Sequence, residues 1–162
     1  MNFTYLEKIG AGTILQLATD LPVSNLVIDS RKAVVNEGSV FFAISGPRNN
    51  GHNYISQLYQ SGIRQFVIEN RIDLTSFPRA NFLLATSSVK ALQRIAEVHR
   101  EEYSIPVIGI TGSNGKTIVK EWLYQLLSPD FQIIKNPGSY NSRVGVPLSV
   151  WAMQPHHQLG VF

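Results

Sequence analysis

One run of this sequence has the residue types and spacing to grip an anion: Thr111-Gly112-Ser113-Asn114-Gly115-Lys116-Thr117, set between a β-branched run and an amphipathic stretch. Glycines let backbone wrap closely around phosphate oxygens, while successive amide N–H groups and a helix N-terminus point toward them. Lys116 adds a full positive charge, and the hydroxyl of Thr117 stands where such loops offer a ligand to magnesium. The run therefore predicts a site for ATP with Mg2+, with Lys116 as the catalytic cation and Thr117 as metal ligand. The strict pattern G-x-x-x-x-G-K-[ST] fails at one position, because Ile110 occupies the place of its first glycine. The alternative is an ordinary glycine-rich turn between strand and helix with a solvent-facing lysine.

The elements that must position this loop follow from periodicity. Apolar residues 107–110 predict a strand before it, residues 116–127 a helix after it, and residues 131–134 a further strand; such a unit is expected to make a right-handed parallel crossover. A loop at 136–145, another helix and a last strand at 159–162 complete this half. Upstream, strands are predicted at 25–28, 40–44, 65–69 and 81–85. A short helix at 54–60 ends at Gly62, and a longer one is capped by Ser87 or Ser88 with Val89, Leu92, Ile95 and Ala96 as its buried stripe. Ser104-Ile105-Pro106 interrupts the periodicity, since proline disfavours helix at the residue before it. The expected fold is α/β: a small N-terminal α/β substrate domain at 1–103, then the start of a P-loop parallel-sheet ATPase domain at 104–162.

Composition narrows the function. With 44% hydrophobic and 15% charged residues, the 162-residue chain has material for a packed core. Its net charge of +3 comes from dispersed Lys and Arg rather than a basic run, which argues against nucleic acid as a partner. No apolar run approaches the roughly 20 residues of a membrane span, and the N-terminal residues lack an export signal, so no membrane insertion and a cytoplasmic location are expected. The absence of cysteine excludes disulfides, thiolate metal sites and cysteine nucleophiles. His156-His157 reads as an exposed turn rather than a metal site, and Trp122 and Trp151 as residues packed against the central sheet.

Beyond the phosphate loop, Asp29-Ser30-Arg31, the run from Gly38 through Ile44, Gly46, Asn50-Gly51-His52, Tyr140-Asn141-Ser142 and Gly145-Val146-Pro147-Leu148 together resemble the Mur ligase family of peptidoglycan synthesis. The resemblance spans most of the chain. Within the family it is nearest to the members that join D-alanyl-D-alanine to UDP-N-acetylmuramoyl-tripeptide, and residues 139–151 are similar to versions fused to a C-terminal alanine racemase. It implies a first domain that holds the UDP-sugar substrate and a central domain that binds ATP. Carried over residue by residue, Ser30, Arg31, Gly46, Asn49 and His52 become candidates for the UDP-substrate pocket, and Asn141 for a substrate contact beside the phosphate loop.

Four of these residues, Ser30, Arg31, His52 and Asn141, have a structural alternative. The planar fork of Arg31 suits a diphosphate, and Ser30 can donate to phosphate or uracil, but Arg31 can equally form a surface ion pair while Asp29 or Ser30 caps a turn. Asn141 can shape its loop as an Asx-turn, and His52 can be a satisfied structural histidine. The resemblance also implies the chemistry. A carboxylate is a poor acyl electrophile, so the γ-phosphoryl of ATP is transferred to it, and an amine then displaces phosphate from the acyl phosphate. A second carboxylate for magnesium is not found after Thr117, where the acidic residues are Glu121 and Asp130; Glu121 is expected to be solvated or to pair along its helix. The chain is accordingly expected to be an N-terminal fragment of a longer ligase, inactive alone. A non-catalytic nucleotide-binding regulatory module and a small P-loop kinase are the competing classes.

Overall fold

A computed structural model of the chain describes residues 1–47, 49–138, 140 and 142–162. It divides into two compact units, Met1–Ile95 and Ala96–Phe162. Among the described residues, no helix is long and apolar enough to cross a membrane.

The first unit is built on a five-stranded sheet in the order β1-β5-β4-β3-β2, with β1 Thr13–Gln16, β2 Asn25–Val27, β3 Ser39–Phe42, β4 Gln65–Ile68 and β5 Asn81–Leu84. Strands β2 to β5 are parallel, while β1 pairs antiparallel with β5 through a register shift between Ile14 and Gln16. All four residues of β3 and of β4 are buried, the continuous apolar pattern of parallel strands covered on both faces. Phe41, Phe66 and Phe82 are buried at centroid distances of 6.4 Å and 5.1 Å along the sheet, against Ile55, Leu58 and Ile63. Helix α2 (Ile55–Ser61) ends at Gly62, whose φ of 117° is the left-handed conformation expected there.

The two edges of this sheet are finished differently. At the amino edge, β3, β4 and β5 each begin with a buried polar residue that binds a neighbouring loop. Ser39 Oγ donates to the Val34 carbonyl, Gln65 Nε2 to the Pro22 and Glu37 carbonyls, and Asn81 Nδ2 to the Thr19 carbonyl. That edge is closed by main-chain contacts. The carboxyl edge carries the loops on which the candidate substrate residues lie.

Helix α1 (Phe3–Lys8) and strand β1 precede these elements and were not foreseen in the periodicity. Helix α3 (Ser88–Glu101) starts where Ser87 Oγ accepts the Lys90 N–H at 3.4 Å; Leu92, Ile95 and Ala96 are buried and Val89 half-buried.

The second unit contains a parallel three-stranded sheet in the order β6-β8-β7, with β6 Val107–Ile108, β7 Ile133–Lys135 and β8 Leu159–Val161. The last strand thus inserts between the two that flank the phosphate-loop helix, α4 (Lys116–Leu127). Helix α5 (Gly145–Trp151) follows the 136–145 loop. The ring of Trp151 lies 4.4 Å from that of buried His99 on α3. Trp122 is 63% exposed, in line with exposed Ile118 and Leu126 at four-residue spacing. Helix α4 is apolar nearly all round, and it turns Lys120, Leu123, Tyr124 and Leu127 inward instead.

Candidate nucleotide and precursor sites

Strand β6 runs into the phosphate loop at the carboxyl edge of its sheet, where parallel α/β folds place their ligands. Two glycines set the loop's path: Gly112 with φ of 143° and Gly115 with φ of 76°, the latter as N-cap of α4. A Cβ at Gly115 would meet nothing within 4 Å and one at Gly112 only the Asn114 carbonyl at 3.9 Å, so conformation rather than crowding demands glycine. Residues 111–115 and 117 are exposed. The first turn of α4 leaves amide N–H groups without intrahelical acceptors, and they open onto this loop. Lys116 Nζ donates to the Gly112 carbonyl across the loop, leaving two of its three N–H bonds for an incoming phosphate.

Beside the loop lies a small cavity of about 40 Å³, partly open to solvent, lined by Ile110, Lys116, Thr117, Lys120, Asn136, Gly138 and Phe162. It gathers the ends of all three strands and the first turns of α4. Lys120, foreseen by nothing in the sequence, is only 4% exposed. Its Nζ donates to the Asn136 carbonyl at 2.8 Å and to the Gly138 carbonyl, and lies 3.3 Å from Glu121 Oε1. Glu121, whose side chain is 39% exposed, is partly solvated as expected, but its partners are not one turn away along α4. It bridges Lys120 to Lys135 of β7, and the Lys135 hydrogen bond holds its carboxyl below the usual range. Asn141 lies outside the described residues.

In the first unit, the candidate residues leave adjacent strands at one edge. Ser30 and Arg31 follow β2 in a 3-10 turn, Ser30–Lys32, capped by Asp29, which accepts the Arg31 N–H at 3.0 Å. The Arg31 side chain, 85% exposed, donates through Nε at 2.9 Å and through Nη2 at 2.8 Å to both oxygens of Asp29. This bidentate pair holds the Asp29 pKa at about 2. Both structural alternatives for this segment are realised, yet the guanidinium retains three N–H donors facing solvent.

Gly46, Asn49 and His52 follow β3. The Gly46 N–H donates to the Asn49 carbonyl at 2.9 Å, and Asn49 Oδ1 accepts the Tyr54 hydroxyl at 3.1 Å. His52 Nδ1 bonds Asn50 Oδ1 at 2.9 Å, and its Nε2 accepts the Glu69 N–H at 3.1 Å. Accepting at Nε2 requires a neutral ring protonated at Nδ1, and burial lowers its pKa accordingly. Glu69, unforeseen, completes the edge: its Oε2 accepts the Ser45 N–H at 3.1 Å and its Oε1 the Ser88 N–H at 2.7 Å, tying β3, β4 and the start of α3 together. An acid at the carboxyl end of the strand predicted at 65–69 was the available signal.

His156 is exposed in a turn, and His157 Nδ1 accepts the Gln154 N–H. Among the described residues, no cluster of three or more His, Cys, Asp or Glu forms a metal site.

The sequence pattern of the Mur ligase middle domain matches residues 110–162, from the end of β6 through β8. The UDP-N-acetylmuramoyl-tripeptide–D-alanyl-D-alanine ligase of Synechocystis is 32% identical over 158 residues, covering 98% of this chain and 34% of the relative. The chain belongs to the Mur ligase family. The Bacillus subtilis ligase of the same name is 28% identical, over 86% of this chain and 30% of its own length. Among solved structures, MurF from Acinetobacter baumannii superposes with a TM-score of 0.85 at 28% identity, covering 98% of this chain and 34% of that one. The MurF ligase of Thermotoga maritima, determined in complex with ADP, gives 0.74 at 32% identity over 86% of this chain and 31% of its own. The chain thus spans about a third of the length of the Mur ligases it matches.

Proposed function

We propose that this chain supplies the precursor-binding unit and the phosphate-gripping part of an ATP-dependent amide ligase that joins D-alanyl-D-alanine to UDP-N-acetylmuramoyl-tripeptide. The observation that carries this reading is the open loop at 111–117, with left-handed Gly112 and Gly115 and with Lys116 at the head of α4. Homology to ligases of that name over 98% of the chain, and a neighbour determined with ADP, support it.

In this reading residues 1–103 hold the UDP-precursor and residues 104–162 the triphosphate. Arg31 directs its remaining donors at the diphosphate, Ser30 adds a hydroxyl donor, and the Gly46–Asn49 loop shapes the pocket wall around them. His52, with both ring nitrogens engaged inside the protein, fixes that wall rather than titrating against substrate. Asn141 contacts substrate beside the phosphate loop.

The loop amides and Lys116 bind the β- and γ-phosphates and stabilise charge on the group in transfer, in the way preorganised donors act elsewhere. The γ-phosphoryl passes to the precursor's carboxylate as ADP leaves, and the dipeptide amine then displaces phosphate to form the amide. Thr117, exposed in the first turn of α4, would hold Mg2+, which when bound would offset charge on the phosphates. A cytoplasmic location goes with this use of ATP. An alanine racemase joined downstream would supply the D-alanine from which the dipeptide is made.

The test is a two-ligand titration of the 15N-labelled chain. UDP-N-acetylmuramoyl-tripeptide is expected to shift resonances at 30–31 and 46–52, and Mg·ADP those at 111–117. Shifts elsewhere with either ligand, or none at saturating concentration, would contradict the assignment.

A further inference from the structure

The cavity beside the phosphate loop contains one polar atom that the protein leaves unanswered. Asn136 is the residue that immediately follows β7; it is 6% exposed and lines the cavity together with Lys116 and Thr117. Its Nδ2 donates to the Tyr140 carbonyl at 2.8 Å, which fixes the amide's orientation, but its Oδ1 is buried without a hydrogen-bond partner. Native proteins seldom leave a buried amide oxygen so. The position is also held with care: Lys120, a buried ammonium, spends two of its donors on the carbonyls of Asn136 and Gly138, and Glu121 balances its charge.

We propose that Asn136 is a further residue of the nucleotide site, its Oδ1 accepting a hydrogen bond from a water molecule of the metal ion that accompanies ATP, and that Lys120 is the positioning residue that holds it there. The inference rests on reading the 111–117 loop as the ATP site. An amide oxygen answers the need of a hydrated magnesium ion, which keeps several of its waters and presents their protons outward. Two lysines on the cavity wall would repel a bare cation, so the ion enters with the phosphates and not before them. The juxtaposition also supplies an oxygen for the metal's surroundings at the end of a strand, where neither Glu121 nor Asp130 can provide one.

Calorimetry on the folded 162-residue chain tests this by comparing ATP affinity with and without Mg2+, with Mn2+ as a spectroscopic substitute. The unsubstituted chain is expected to bind ATP more tightly with metal. Asn136→Leu, similar in size but without the acceptor, is expected to lose about tenfold of that gain and leave metal-free affinity within about twofold. Asn136→Asp, which retains an acceptor, keeps the gain and decides the matter if Asn136→Leu does not fold. Lys120→Met should reduce the metal-dependent gain selectively and alter the EPR signal of bound Mn2+, whereas a purely structural lysine would weaken both affinities equally. A full metal-dependent gain in Asn136→Leu, or loss of it in Asn136→Asp, overturns the proposal and leaves the ATP site standing. Failure of the folded, unsubstituted chain to bind ATP overturns both.

Discussion

Replacing Gly51 by alanine is the most specific perturbation of the edge proposed to bind the precursor. A Cβ on Gly51 would lie 2.7 Å from the Ile44 nitrogen, 2.8 Å from Ala43 Cα and 2.9 Å from the Ala43 carbonyl carbon. All three are main-chain atoms, so no side chain can rotate away. Ala43 is fully buried and its N–H is bound to the Val67 carbonyl at 2.8 Å, which anchors that side of the contact. The turn bearing Asn50 and His52 must therefore move, at the expense of the Gly51 N–H bond to the Ile44 carbonyl and of the His52 bond to Glu69. Overpacking costs about 1–3 kcal/mol, and an unyielding main-chain clash belongs at the upper end. At roughly 2–4 °C per kcal/mol for a chain of this size, Tm should fall by about 5–10 °C. Gly46→Ala is the control, because its Cβ meets only the Asn49 carbonyl, at 3.3 Å. Differential scanning calorimetry of both variants decides the matter. A Gly51→Ala protein as stable as Gly46→Ala would refute the close approach on which the edge depends.

Other expectations follow from the same geometry. Arg31→Ala should change stability by less than about 1 kcal/mol, as exposed ion pairs do, while weakening UDP-precursor binding; denaturation and titration curves measured side by side check this. His52 is neutral in the fold and its pKa lies below 6.5, so its contribution is complete above about pH 6.5 and is lost as pH falls toward the folded pKa. Buried His99 and half-buried His157 shift the same way, so some decline persists without His52, but the urea midpoint of His52→Gln should decline less between pH 7 and 5 than that of the unsubstituted chain. Trp122→Gln should alter stability by less than about 0.5 kcal/mol, because the indole is largely in solvent; a loss of several kcal/mol would show that it is packed.

The parallel core was legible because β3 and β4 are buried on both faces and read as unbroken apolar runs, and α4 emerged with its bounds because Gly115 caps it and its apolar content is high. The same apolar content hid which face of α4 points inward, and Trp122 was assigned to the wrong one. Helix α1 offers only Phe3 and Leu6 as buried positions, and β1 is half-buried with a register shift, so neither presents a period to detect. Lys120 and Asn136 look like ordinary surface residues in sequence. Lys120 is capped by a loop 16 to 18 residues away, to which Asn136 itself belongs and whose carbonyls turn back onto α4, and no local pattern encodes that approach. For Arg31 the residue types pointed to a diphosphate or to a surface ion pair with no partner named. The structure realises the second and leaves donors for the first.

The central claim is that the turn from Thr111 to Thr117 holds the terminal phosphates of ATP. Its most direct measurement is Mg·ATP affinity in the unsubstituted chain and in Lys116→Ala, by isothermal titration calorimetry. Loss of a charge-assisted bond of about 1.5–3 kcal/mol predicts a roughly 10- to 100-fold weaker complex with an unchanged fold. Equal affinity in the two proteins would contradict the account.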